Sequence, residues 1–396
     1  MKINFDIENW LSDLNIFRDC FHSRSFELFV RYVTGLILSE NKTVDGLNSI
    51  FLQKTDQSNV NRLLTEYPWQ KTDFSDELFH LLKHHKVLSS FSYFVLDDSL
   101  LEKIGKSIEG TGYHYDHSES RYVYGHQIVT SGYVFNSDFY PFLLELYTKE
   151  EECKKEGLIF KTKVEIALTI LARAIEFHKP SVVLIDSWYC TQEIIRFLDE
   201  KGIKYIIASK SNRLFTYRNK DEKISNFTHR ISTTKKVVKD GYEYQVKSIM
   251  AYFKDFGTKR LLFVRRREIG KRKFEDWNSL ISNIYDVTDE TIINFYANRF
   301  SIDCFHKEAK QHLGLGKSQL RKRRGVVKHL YLVAIAYCLL KFATWLKKGW
   351  KQLSVAERIR NIKDYFMENT IVRTIKQNKR NIVGAISQLF ATNRKS

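Results

Sequence analysis

Four side chains between Tyr296 and Lys310 (YANRFSIDCFHKEAK) bring an aromatic hydroxyl, a guanidinium, a carboxylate and an ammonium into one short segment. The segment lacks Pro and Gly, so a helix is expected. At about 100° per residue, Tyr296, Arg299, Asp303 and Lys310 fall near 0°, 300°, 340° and 320°, on a stripe about 60° wide. Glu308 falls near 120° and points elsewhere, by the same roughly 100° step. Three phosphate-seeking groups around one acid suit a nucleic-acid backbone beside a metal ligand. Arg299 and Asp303, an i,i+4 pair, equally suit a solvated salt-bridge stripe.

Two more acids stand where apolar runs end: Asp97 or Asp98 after FSYFVL, and Asp186 after SVVLI. A carboxylate at the end of a buried strand is costly unless something positive meets it. Converging carboxylates are what a pair of Mg²⁺ ions requires for phosphoryl chemistry. Taken singly, each strand-end Asp also suits a turn cap.

The elements that must position these acids read as follows. Residues 1–88 are helical in pattern, with Thr43 as an N-cap, and fit either a helix-turn-helix unit or a plain bundle. Residues 89–209 follow a β, β, α, β, α, β order, with a helix over KVEIALTILARAIEFH and another closed by Gly202, which points to a layered α/β domain. Residues 210–286 are a β-rich insertion containing YEYQVKSIMAYF and KRLLFVRRREI. Residues 287–350 resume helical grammar behind the candidate cap Thr288 and carry the Tyr296–Lys310 motif. Residues 351–396 form a basic C-terminal region.

Lys plus Arg outnumber Asp plus Glu by 64 to 46 in 396 residues, a net +18, which favours an anionic partner such as nucleic acid. Lys259–Lys273 holds eight basic residues and one acid, and Lys317–Lys328 six and none. Five scattered cysteines without a C-x-x-C pair indicate neither a disulfide framework nor a zinc knuckle. The N-terminal MKINFDIENWLSDL carries acids within its apolar run, unlike a signal peptide. Leu330–Leu346, broken by Lys341, reads as a buried core helix and not a membrane span.

KIGKS and GLGKS are not phosphate loops, because Leu100 and Gln311 stand where the first Gly must be. His114 and His117 have a metal-like spacing but no third ligand close by. Trp188, Tyr189 and Trp277 suit base stacking or ordinary packing.

YANRFSIDCFHKEAK resembles the Tyr-x2-Arg-x3-Glu-x6-Lys signature of the DDE transposases of bacterial insertion sequences. VLDDSLLEKIGKSIEG is similar to that family's first-acid region and VVLIDSWYCTQEIIRFL to its second. The likeness spans roughly residues 30 to 345. It implies an RNase H-like mixed sheet flanked by helices, with a β-rich insertion and an α-helical N-terminal domain. It further implies that Asp98, Asp186 and Asp303 bind two Mg²⁺ ions, with Mn²⁺ as a substitute, and that Tyr296, Arg299 and Lys310 hold DNA backbone. Asp98 is selected over Asp97 because the family's first acid precedes a small hydroxyl residue, here Ser99. The third acid is Asp where the family has Glu, one methylene shorter, and Glu308 lies on the wrong face to replace it. The implied activity is cleavage at terminal inverted repeats followed by strand transfer, by a homodimer on double-stranded DNA in the cytoplasm, with no membrane and no nucleotide cofactor. A nuclease that does not join, and a catalytically silent DNA-binding descendant, are the alternatives.

Overall fold

The computed structural model describes residues 8–69, 71–116, 119–344 and 346–392, with side chains described for all of these except 8–11, 71–73 and 381–392. His117 lies outside the described residues. The chain divides into two compact units, one made of residues 1–77 with 308–396 and the other of residues 78–307.

The first unit is helical. It contains α1 (Glu8–Asn15), α2 (Ser23–Leu38), α3 (Val44–Ser49) and α4 (Gln57–Thr65), and α5 (Lys71–His84) runs across its boundary. Thr43 caps α3, its hydroxyl accepting from the Gly46 N–H at 3.0 Å, and Asp56 caps α4 through the Ser58 N–H at 2.7 Å. Gly35 lets α2 meet α3 closely, since a Cβ there would lie 2.8 Å from that of Leu47.

The second unit is built on a mixed sheet. In chain order its elements begin with β1 (Tyr93–Glu102), β2 (Gly112–Asp116), β3 (Arg121–Phe135), β4 (Asp138–Tyr147), α6 (Glu150–Glu156), α7 (Lys163–Phe177), β5 (Val182–Ile185), α8 (Gln192–Glu200) and β6 (Tyr205–Ala208). Then come β7 (Leu214–Tyr217), β8 (Lys220–Lys223), α9 (Ile224–His229), β9 (Lys235–Lys239), β10 (Tyr242–Phe253), β11 (Gly257–Glu268), β12 (Asn278–Ser282), α10 (Asp289–Ala297) and α11 (Phe300–Glu308).

Among the described residues the strands join in the order β2-β3-β1-β5-β6-β12-β11-β10-β7-β8, with β4 on β3 and β9 on β10. β5 is apolar and buried throughout and lies parallel to both β1 and β6, as expected of a strand covered on both faces. The β-rich insertion does not form a separate sheet. Its β12 pairs antiparallel with β6, so the insertion continues the same sheet.

Two strands escaped the sequence reading. β4 contains Pro141, which argues against a strand until the bulge beside it is seen, where Phe142 and Leu143 of β4 oppose the single Ser131 of β3. β2 is five residues long with three exposed or half-exposed positions. α7 starts with a capping box in which Thr162 and Glu165 each accept from the other's backbone N–H.

The remaining helices, α12 (Arg323–Phe342) and α13 (Val355–Thr392), belong to the first unit. α12 is long and apolar enough to cross a membrane, yet 89% of that stretch is buried inside the protein. There it packs against α2 and α4, and the Tyr32 hydroxyl meets His329 Nδ1 at 2.9 Å. A helix apolar on all sides is therefore satisfied as the centre of a bundle.

Candidate active site

Strand β1 presents two successive acids to opposite faces of the sheet, because side chains alternate along a strand. The odd-numbered face meets α10 and α11: the Tyr93 ring lies 5.5 Å from that of Phe295. The even-numbered face meets α7. Phe94 stacks edge-on against Tyr133, whose hydroxyl donates to the Ala174 carbonyl at 3.1 Å.

Asp97 faces the first of these surfaces. Its Oδ2 accepts from Arg299 Nη1 at 2.9 Å, and Nη2 of the same guanidinium donates to Asp303 Oδ2 at 3.0 Å. One cation thus ties the middle of β1 to α11. Asp186 enters from the neighbouring strand. The β1–β5 pairing ends at Leu96↔Ile185, so Asp97 and Asp186 each stand one residue past the last pair, on adjacent chains.

The electrostatics mark these groups as one cluster. Burial raises the Asp97 carboxyl to about 7, with Asp98 and Asp303 adding to the rise and Arg299 opposing it. Burial also raises Asp303, with Asp186 adding and Arg299 opposing. Burial disfavours the Arg299 charge, but Tyr296, Asp303, Asp97 and Asp186 around it more than compensate. Three carboxyl groups against one guanidinium leave an excess of negative charge in a partly desolvated place. Hard divalent cations fit that donor set.

The Tyr296–Lys310 motif is not one straight helix. α10 ends at Ala297, α11 begins at Phe300, and the Arg299 N–H bonds three residues back to the Tyr296 carbonyl at 3.0 Å. The break sits at Arg299. Phe305, ring to ring with Phe139 at 5.3 Å, and buried Ile302 hold α11 beyond it. Tyr296 donates to the Ile185 carbonyl at 3.4 Å, one residue before Asp186. Lys310 lies in the π-helical turn Ala309–Leu313 of the first unit, so the structure does not group it with the acids of the second.

Asp98, the acid selected from sequence, lies on the opposite face from Asp97. It accepts from Tyr189 Oη at 3.2 Å, from Lys163 Nζ at 3.3 Å and from Gln127 Nε2. The choice made from Ser99 therefore picks the neighbour of the acid that shares Arg299 with Asp303. The alternation of side chains along β1 separates the two acids, and the placement of α11 puts Arg299 and Asp303 on the Asp97 face.

Sequence reasoning also missed Arg260. This buried β11 residue donates to the carbonyls of Ile284 at 3.2 Å and Val287 at 2.8 Å and to Asp289 at 2.7 Å, clasping the segment that starts α10. In sequence it is one of the eight basic residues of a run that reads as an anionic-partner surface. Arg266 and Arg267 in that run pair with Glu275 and Glu243. Arg265 lies over the Trp277 ring at 4.5 Å, which gives that tryptophan a packing partner.

A mixed sheet flanked by helices, with acids just past the last paired residues of two parallel neighbours and a third on a helix across one face, defines a nuclease-type core of RNase H-like architecture. The family profile described as DDE superfamily endonuclease matches residues 16–226, and that described as transposase DDE domain matches residues 162–339. The first covers more than half of the chain, which belongs to the DDE superfamily of endonucleases as a DDE-type transposase. Enzymes of this superfamily act on DNA and generally depend on divalent metal ions. No individual curated protein matches the chain.

Proposed function

We propose that the protein binds the terminal inverted repeats of an insertion sequence, cuts there and transfers the freed strand to target DNA. The observation that carries the reading is the Arg299 guanidinium held between Asp97 and Asp303, with Asp186 bearing on both Arg299 and Asp303. In this reading Asp97, Asp186 and Asp303 hold the metal ions, and Asp97 takes the role that the sequence resemblance assigns to Asp98. Bound Mg²⁺ or Mn²⁺ would supply charge neutralisation at the scissile phosphate.

The chain's own contribution is positioning. Arg299 keeps the carboxyls of β1 and α11 in register, and Tyr296 fixes the end of β5 beside Asp186. Tyr296 and Arg299 then meet the DNA backbone near the cut, and Lys310, in the other unit, is also assigned to DNA backbone. Water attacks the phosphodiester at the element's end, breaking the bond to the 3′ oxygen and freeing a 3′-OH. That hydroxyl attacks a target phosphodiester in line and displaces a second 3′ oxygen, so no covalent protein intermediate is required. The N-terminal helices and basic surfaces hold the end sequences, and two copies working in the cytoplasm bring two ends together.

The test is a cleavage and joining assay on duplexes carrying the element's own ends. Wild-type protein with Mg²⁺ should nick the end and join pre-cut ends to target. Asp97→Ala, Asp186→Ala and Asp303→Ala should lose cutting while keeping salt-sensitive binding. Cutting without joined product would leave a nuclease, and tight binding without any nick in either metal would leave a silent DNA-binding protein.

A further inference from the structure

The face of β1 turned away from the acid cluster carries an arrangement that the chemistry above does not use. Asp98 sits there with three donors: the Tyr189 hydroxyl, the Lys163 ammonium and the Gln127 amide. The Asp98 and Lys163 side chains are 18% and 11% exposed, and the Tyr189 side chain is fully buried.

Tyr189 closes the short turn Ser187–Tyr189, for which Asp186 is the N-cap. The Tyr189 N–H also donates to the Asp186 carbonyl at 3.2 Å. The neighbouring Trp188 ring lies 3.8 Å under the Lys163 ammonium. The Asp98–Lys163 pair therefore grips both residues that follow Ser187.

The position of this grip matters because regular pairing between β1 and β5 stops at Leu96↔Ile185. Asp97 and Asp186 lie just beyond it. The next link along these two chains is the hydrogen bond from Tyr189 to Asp98, one residue past Asp97 and three past Asp186.

We propose that Asp98 is a positioning residue, whose hold on the Tyr189 hydroxyl sets the spacing between the Asp97 and Asp186 carboxyls. It faces away from the reacting groups and acts through the turn. The turn is braced on two sides, by the β1–β5 ladder before Asp186 and by the Asp98–Tyr189 bond after it, while β3 pairs with β1 as far as Glu102 and holds the strand at Asp97 and Asp98. Without the brace, the Ser187–Tyr189 turn that follows Asp186 is free to move away from β1. The carboxyl pair then loses the fixed separation that a divalent ion selects.

The inference rests on the reading of Asp97 and Asp186 as metal ligands, and the experiment separates the two. Mn²⁺ binding to the full chain without DNA is measured by electron paramagnetic resonance, and nicking is followed on an end duplex. Asp97→Asn and Asp186→Asn should abolish tight Mn²⁺ binding. If they leave it unchanged, the ligand reading fails.

Tyr189→Phe deletes only the hydroxyl. It should weaken Mn²⁺ binding about tenfold and lower kcat for nicking by a similar factor, the usual cost of losing a group that orients metal ligands. KM for DNA should not move, because the brace touches no DNA-binding group. Asp98→Asn keeps a carbonyl acceptor for the Tyr189 hydroxyl but turns its amide N–H toward the Lys163 ammonium and the Gln127 amide, so it should lose less than Tyr189→Phe without reaching wild type. Wild-type Mn²⁺ affinity in Tyr189→Phe, with Asp97→Asn and Asp186→Asn inactive, would overturn the brace. Loss of Mn²⁺ binding in Asp98→Asn as complete as in Asp97→Asn would make Asp98 a ligand and overturn it also.

Discussion

Asp97 and Asp98 differ by one position in sequence and occupy opposite faces of the same strand. On one face Asp97 shares the single Arg299 guanidinium with Asp303, with Asp186 close enough to raise the latter, so acids outnumber cations. On the other face the lone Asp98 meets an ammonium, a hydroxyl and an amide. A buried acid whose hydrogen bonds are met and whose charge is balanced serves the structure. A group of acids left short of positive charge is destabilising by itself, and it persists where a cation completes it. On the proposed reading the contrast puts chemistry on the Asp97 face and architecture on the Asp98 face.

The sharpest way to break the comparison is to remove each acid in turn. Asp97→Ala should reduce nicking by about a thousandfold or more, since the charge-stabilising machinery of phosphoryl transfer is lost with it. Asp98→Asn should lose far less of the rate under the same conditions. Equal losses, read as kcat on an end duplex, would erase the distinction between the faces.

Arg299→Ala comes next. In metal-free protein it leaves three acids with no shared cation, so the melting temperature should fall, and millimolar Mg²⁺ should recover more of it than in wild type. Nicking should fall about a hundredfold, the scale seen when one preorganised charged group is lost from such a site. A melting temperature that ignores both the substitution and Mg²⁺ would mean the cluster is not strained by its own charge.

The third prediction concerns pH. The Asp97 carboxyl is raised to about 7 in the folded protein, chiefly by burial. The native state therefore holds a proton that the unfolded chain releases near the ordinary carboxylate pKa of about 4. Stability of the metal-free protein should fall as pH rises from about 4 to about 7, and the cost should be fully present above that. Asp97→Asn should flatten this slope and raise the melting temperature at pH 8 in chelator, while changing little at pH 4. A parallel pH profile in the variant would contradict the assignment.

The smallest effect is expected at the third acid. Asp303→Glu restores the chain length usual in the resembled family, on the same face and within reach of Arg299. Nicking should stay within about tenfold of wild type, because both side chains offer hard cations the same carboxylate. Complete loss would mean that the site is built around the shorter acid.

Much of this was readable from the residues. Helical phasing brought Arg299 and Asp303 together, and the apolar run SVVLI located Asp186 at a strand end. Thr43, Thr288 and Gly202 punctuate their helices as their side-chain chemistry and conformational range suggest. The unread part is tertiary. The break at Asn298–Arg299 comes from backbone bonds three residues apart, which no spacing rule reports. Pro141 concealed β4, which takes up the proline beside a bulge of its own. Arg260 read as surface charge because its acceptors are two loop carbonyls and the distant Asp289. Residue types along β1 cannot say which face α11 covers, and that missing dimension is what the proposed choice of Asp97 over Asp98 rests on.

The most direct measurement is a crystal structure of the full chain soaked in Mn²⁺, with the ion located by its anomalous scattering. The account predicts a peak within coordination distance of the Asp97, Asp186 and Asp303 carboxylates, with the Asp98–Tyr189 hydrogen bond intact behind it. A peak ligated by Asp98, or one that leaves the three acids apart, would contradict it.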